Sequence, residues 1–174
     1  SKMSSSRAWR DITEKHKGSY QASAVGEVNV VELMKKTNAI IGGEGNGGII
    51  YPELHYGRDS LVGVALFLTY LASQEKTVAE LRASYPQYYM SKNKIELTPQ
   101  LDVDAILESL TTTYKNEQIS TIDGVKIDFA TEWVHLRKSN TEPIIRIYTE
   151  APTQNEADIL AERFVNELKV IAGI

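Results

Sequence analysis

The chain has 174 residues, enough for one substantial core or two small ones. Its 42% hydrophobic and 24% charged residues and net charge of −4 are the balance of a globular chain, neither disordered nor membrane-embedded. The absence of cysteine removes disulfide scaffolds, thiolate zinc sites and cysteine nucleophiles together, and fits a reducing cytoplasm.

The longest apolar stretch, residues 61–72, is interrupted by Gly63, Thr69 and Tyr70 and is too short to cross a bilayer, so no membrane partner is expected. His16, His55 and His135 are scattered singly, which argues against a histidine metal site. Charge is unevenly divided. Residues 1–87 carry ten Lys plus Arg against nine Asp plus Glu, while residues 88–174 carry nine against fourteen, a net −5. An acidic half does not track a nucleic-acid backbone, so any anion bound there needs a local site of specific geometry.

In chain order, residues 5–16 read as a helix with Ala8, Trp9 and Ile12 on one side, no strand before it and Gly18 as its stop signal. Residues 20–24 read as a short extended run, 28–36 as a helix with Val31 and Met34 inward, and 38–42 as an apolar strand. That αβαβ alternation implies parallel strands. The loop Gly43-Glu44-Gly45-Asn46-Gly47-Gly48 then joins two extended runs. Residues 60–74 form a nearly all-apolar helix that should be buried on most sides. Thr77 and Glu80 make a capping box that opens another short helix.

Composition changes at residues 83–89, which places a domain boundary between 84 and 85. Beyond it, residues 88–97 look extended, and 102–114 form an amphipathic helix through Val103, Ile106, Leu107, Leu110 and Tyr114. Asp123-Gly124 marks a hairpin between 118–122 and 125–129. Residues 133–138 and 144–150 are further strands. Thr153 and Glu156 read as a second capping box, opening a last helix with the stripe Leu160, Phe164, Leu168, Ile171. The expected fold class is a partial α/β (αβα) domain with a mixed sheet over residues 1–84, then a small α+β domain over 85–174. The second domain would carry an antiparallel four-stranded sheet with two helices on one face.

Two loops carry residue types suited to chemistry. Gly43, Gly45 and Gly48 formally satisfy a dinucleotide-binding pattern, but that pattern must open a helix, whereas Ile49-Ile50-Tyr51-Pro52 continues extended and Glu44 would repel a pyrophosphate. Glu44 and Asn46 suit paired sugar hydroxyls instead; taken alone, the loop also reads as a structural turn. In residues 137–143 a guanidinium (Arg137), two hydroxyls (Ser139, Thr141) and an amide (Asn140) join two strands, with Arg146 just beyond. That set suits a phosphate, and equally a solvated hairpin turn. Asp102 and Asp104 read as a helix N-terminus complementing the dipole.

The run RKSNTEPIIRIYTEA, residues 137–151, resembles the phosphate-binding loop of the α-D-phosphohexomutases, R-x-S-[GN]-T-E-P followed by R-[VI]-Y-x-E-A. IGGEGNGG, residues 41–48, is similar to that family's sugar loop G-E-x-S-G-H, with Asn46 and Gly48 where Ser and His are usual. Val25-Gly26-Glu27 with Lys35, and Gly57-Arg58-Asp59, resemble two further family segments in the right order.

The resemblance implies most of a third, sugar-binding domain and all of a fourth, phosphate-binding domain of TATA-binding-protein-like fold. The missing N-terminal domains would supply a phosphoserine and an aspartate-rich Mg2+ site, because no such serine loop or aspartate cluster occurs here. The implied reaction interconverts hexose 1-phosphate and hexose 6-phosphate through a phosphoserine enzyme and a bisphosphorylated sugar. The implied phosphate clamp is Arg137, Ser139, Asn140 and Thr141, the sugar contacts are Glu44 and Asn46, and Gly26, Glu27 and Arg146 stand as further candidates. The chain alone is expected to be inactive and cytoplasmic. The competing expectation is a non-enzymatic α+β module that binds RNA or another ligand, with Phe129, Trp133 and Tyr148 as an aromatic platform.

Overall fold

A computed structural model describes residues 1–45, 47–96, 102–139 and 142–173, and the chain folds as two units, Ser1–Gln87 and Tyr88–Ile174. In the first unit, Lys2 and Ser23 form a parallel bridge, held by Met3 N–H donating to the Ser23 carbonyl at 2.9 Å and Ser23 N–H to the Ser1 carbonyl at 2.8 Å. This bridge is the parallel pairing found among the described residues of the unit. The helix α1 (Ala8–Lys15) follows. Helix α2 (Glu27–Thr37) starts after Gly26, whose φ of 126° favours glycine, and ends at Asn38 in the left-handed region.

Residues 38–41 do not form the expected strand. Asn38 caps the helix, and Ile40 and Ile41 remain exposed, so pairing starts only at β1 (Gly42–Glu44). It runs antiparallel to β2 (Gly48–Ile50), with Gly42 opposite Ile50. A tight glycine loop reverses the chain, which is why a hairpin replaces the parallel strands that αβαβ alternation implied.

Helix α3 (Ser60–Gln74) is capped by Asp59, whose carboxylate accepts from the Leu61 and Val62 N–H groups. It was expected to be buried on most sides, yet none of its residues is, and Leu61 is 79% exposed. Among the described residues of the first unit, nothing covers its outer sides. Helix α4 (Val78–Ala83) opens with the reciprocal Thr77/Glu80 capping box that its sequence announces. The unit's buried cluster is small: Val30, Met34 and Ile50, with Val31 and Ala39 partly buried against it.

The second unit contains β3 (Tyr89–Glu96), α5 (Val103–Thr113), β4 (Gln118–Ser120), β5 (Val125–Asp128), β6 (Trp133–Lys138), β7 (Ile144–Ala151) and α6 (Gln154–Ala172). Its strands make one antiparallel sheet in the order β3-β7-β6-β5-β4. Five strands stand where the expected fold class had four, because all five extended runs, including both arms of the Gly124 hairpin, pair into one sheet. Gly124 has φ +67°, and a Cβ there would run into the Leu136 carbonyl and Arg137, so only glycine fits.

Strand alternation puts Ile95, Val125, Ile127, Val134, Leu136, Ile145 and Ile147 on one sheet face. There they form a single cluster with Val103, Ile106, Leu107 and Leu110 of α5 and Leu160, Phe164 and Leu168 of α6. At about 1.5–3 kcal/mol per fully buried large apolar side chain, this cluster dominates the stability of the unit. Asp102 caps α5 through the Ala105 N–H, 3.1 Å. Thr153 caps α6 through the Glu156 N–H, but the Glu156 carboxylate takes the Thr153 hydroxyl (2.8 Å) rather than completing a full box. The two helices are joined by the Tyr114 hydroxyl, which donates to Glu167 at 2.6 Å and accepts from Arg163 at 2.9 Å.

Candidate functional site

The sheet face opposite the helices carries the second unit's candidate residues, and register sorts them. Arg137 on β6 lies directly opposite Arg146 on β7, which lies opposite Lys94 on β3. One row of the pleat therefore holds three cations across three strands. The next row holds Lys126, His135, Tyr148 and Lys92. The half of the chain that is acidic overall thus concentrates its positive charge on one patch. Opposed like charges destabilise a sheet unless something neutralises them. The Arg146 guanidinium bonds Tyr148 and, through Nη2, Glu142 at 2.8 Å, but the Nε atoms of both Arg137 and Arg146 are buried without a hydrogen-bond partner among the described residues. Two unsatisfied guanidinium donors side by side are what an oxyanion would satisfy.

Ser139 is buried at the end of β6, and its main-chain N–H donates to the Ile144 carbonyl at 2.9 Å. That amide closes the loop and is not available to a ligand. Asn140 and Thr141 lie outside the described residues. His135 is 1% exposed, and its Nε2 donates to the Asp123 carbonyl at 2.6 Å. Burial pushes its pKa below the ordinary 6.5. The Asp123 carbonyl works partly against this, and the charges of Lys126 and Arg137 add to it.

In the first unit, Glu44 at the end of β1 is 5% exposed. Its Oε1 faces Lys2 Nζ at 3.5 Å and its Oε2 faces Arg58 Nη1 at 3.2 Å. Two cations leave part of the carboxylate's acceptor capacity unused. Asn46 lies outside the described residues. Glu27 takes Arg58 twice, at the main-chain N–H (3.1 Å) and at Nε (2.8 Å), so this candidate is engaged in holding Arg58. Gly26 serves as the residue before α2, in a conformation that favours glycine. Glu27, Gly47, Gly48, Arg58 and Ser60 line an open polar cleft.

Of the aromatics considered for an RNA platform, Phe129 lies on the helix-covered side. Its ring stacks edge-on with Tyr114 at 5.9 Å and lies 6.3 Å from Phe164. Trp133 is fully buried, its Nε1 donating to Glu150 at 2.7 Å. Tyr148 remains half-buried on the open face beneath Lys92.

An antiparallel module with opposed arginines at a strand–loop–strand corner, preceded by a module with a carboxylate-bearing glycine loop, is a pairing with known counterparts. Residues 1–89 match the family model described as phosphoglucomutase/phosphomannomutase, alpha/beta/alpha domain III, and residues 72–167 match the C-terminal domain of the same family. The chain belongs to the phosphoglucomutase/phosphomannomutase family of α-D-phosphohexomutases. It is 39% identical over 97% of its length to a phosphoglucosamine/phosphogalactosamine mutase of Sulfurisphaera tokodaii, of which it spans 37%. It is 36% identical over 84% of its length to a phosphoglucomutase/phosphomannomutase of Thermococcus kodakarensis, of which it spans 32%. The chain thus spans about a third of the length of these relatives.

Its fold matches that of a phosphoglucomutase/phosphomannomutase family protein from Burkholderia thailandensis, with a TM-score of 0.77 at 22% identity over 94% of this chain and 35% of that one. It also matches an Aspergillus fumigatus N-acetylphosphoglucosamine mutase solved with GlcNAc-6P and magnesium, with a TM-score of 0.61 at 18% identity over 92% of this chain and 38% of that one. Among the described residues no group of three or more His, Asp or Glu side chains gathers to hold a metal ion. No helix among them is long and apolar enough to cross a membrane.

Sequence reading missed the role of Arg58, which is separated by 31 residues from Glu27 and by 14 from Glu44. It also missed Lys94. For Lys94 a signal existed, since Lys92 and Lys94 alternate with the buried Ile95 side of β3.

Proposed function

We propose that this chain is the substrate-binding part of a phosphohexomutase that interconverts hexose 1-phosphate and hexose 6-phosphate. In that reaction a phosphoserine donates its phosphoryl group to the free hydroxyl of the sugar monophosphate. The hydroxyl proton is lost and a bisphosphate forms; the other phosphoryl group then returns to the serine oxygen. The enzyme must hold the non-reacting phosphate identically in two opposite sugar poses, which calls for a fixed anion clamp.

The observation that carries this reading is the opposed pair Arg137 and Arg146, with both Nε donors buried and without a partner among the described residues. Arg137 supplies the charge-assisted contact, Ser139 contributes its hydroxyl, and Asn140 and Thr141 complete the clamp by resemblance to the family loop. Glu44, with Asn46 by the same resemblance, accepts from ring hydroxyls. The phosphate-binding function belongs to residues 85–174 and sugar recognition to residues 1–84. Magnesium would stabilise charge on the transferring phosphoryl group; its ligands and the donor serine belong, in this reading, to other parts of the polypeptide. The chain by itself therefore binds without turning over.

The test is titration of the 174-residue chain with glucose 1-phosphate, following the amides of residues 137–139 and the Arg137 Nε–H. These signals should move, and Arg137→Ala should weaken binding roughly 10- to 100-fold, as the loss of a hydrogen bond to a charged group does. Stationary signals at millimolar ligand would remove the clamp.

A further inference from the structure

We propose that Arg58 is a specificity-determining residue, donating hydrogen bonds from the floor of the cleft to hydroxyl oxygens of a pyranose ring. The proposal deepens the sugar-binding reading above and rests on it. The position of Arg58 is over-determined by local structure. The next residue, Asp59, caps α3 through Leu61 N–H at 2.8 Å and Val62 N–H at 3.0 Å, and its own N–H donates to the Ile49 carbonyl of β2 at 2.8 Å. His55 Nδ1 accepts from Gly57 N–H at 2.9 Å, so its Nε2 carries the proton towards Asp59 at 3.1 Å.

From this anchor the Arg58 side chain crosses β2 where Gly48 has no side chain. A Cβ at Gly48 would stand 2.6 Å from Arg58 Cδ and 3.0 Å from Cγ. The glycine thus makes room for the arginine, and the space that a side chain of the loop would occupy is filled by the Arg58 stem.

Glu27 and Glu44 hold the guanidinium at Nε and Nη1. A guanidinium has five N–H donors. Two are used, which leaves one on Nη1 and both on Nη2 without a partner among the described residues. The side chain is 45% exposed and lines the cleft beside Gly47 and Ser60. A lysine would serve a purely structural ion pair, whereas a planar fork gripped by carboxylates on two of its nitrogens presents its remaining donors in a fixed direction.

Charge decides the ligand class. Two carboxylates, Glu27 and Glu44, are balanced by two cations, Arg58 and Lys2, so the cleft has no net pull on a phosphate. Directed donors beside carboxylate acceptors match the hydroxyls of a neutral sugar ring, each of which both accepts and donates.

The experiment uses the 174-residue chain and two probes: glucose 1-phosphate, and glycerol 1-phosphate, which keeps the phosphate but lacks the ring. Arg58→Gln should weaken glucose 1-phosphate about 10-fold while leaving glycerol 1-phosphate unchanged, and Arg58→Lys should fall between. Equal losses for both probes, or none for either, overturn the proposal. Should the variants misfold, the wild-type Arg58 Nε–H resonance decides. It should move with glucose 1-phosphate and with unphosphorylated glucose but not with glycerol 1-phosphate, and a resonance that stays still with both sugars refutes the assignment. A response at Arg58 without one at residues 137–139 would sink the phosphate clamp alone; the reverse would sink Arg58 alone.

Discussion

The two units solve the problem of holding a loop in place by different means. In Tyr88–Ile174 one apolar cluster spans the sheet and both helices, and the loops hang from strands whose inner faces are fully buried. In Ser1–Gln87 the buried cluster rests on Val30, Met34 and Ile50. There the functional loop is fixed by ion pairs among Lys2, Glu27, Glu44 and Arg58, while α3 leaves Leu61, Val64 and Leu68 more than half exposed. The difference teaches that packing fixes the basic row of the second unit, whereas charge pairing, which salt weakens, fixes the polar cleft of the first.

The largest expected effect breaks this comparison directly. Phe164→Ala, at a residue with no exposure in the centre of the second unit, should cost about 3–5 kcal/mol. Met34→Ala, in the thin cluster of the first unit, should cost about 2 kcal/mol, near the lower bound for such truncations. Urea unfolding of both variants measures the gap, and equal losses would mean that the two cores are not of different kinds.

A smaller effect sharpens the account of the second unit through His135. Its folded pKa lies below the ordinary 6.5 because burial disfavours the charged ring. The unfolded chain therefore takes up a proton first as pH falls, so the stability linked to the neutral ring is complete above about 6.5 and is lost on acidification below that value. The melting temperature of the wild type should drop with pH in that window, and His135→Gln should flatten this part of the profile. A slope identical in both proteins would exclude His135 as its source.

The smallest effect concerns α4 in the first unit. Thr77→Ala removes the side-chain acceptor for Glu80 N–H and the partner of the Glu80 carboxylate, and should cost about 1 kcal/mol. A change beyond the error of denaturant titration but well below that of Phe164→Ala is the expected ranking.

Much of the fold was legible because its signals are local. The 3.6-residue spacing of Ile106, Leu107 and Leu110, the Asp123-Gly124 turn and the Thr77/Glu80 box each specify their own element within a few residues. What was not legible depends on register or distance. That Arg137 stands opposite Arg146 follows from how many residues the intervening loop contains, and no periodicity reports that pairing. The Arg58 network joins the start of α2, the end of β1 and the segment before α3, all distant in sequence, so composition cannot show it. Ile171 sits on the apolar stripe of α6 yet is 38% exposed, while its neighbour Ala172 packs against the core. Phe129 is a different case. It continues the Val125, Ile127 alternation onto the core side, so strand parity already argued against placing it on the open face.

The opposed arginines also bear on what the fold gives up. Like charges opposed across two strands raise the free energy of the second unit, and in the proposed reading an anion that cancels the repulsion returns that free energy as affinity. On that reading, ligand capture and thermal resilience draw on the same reserve.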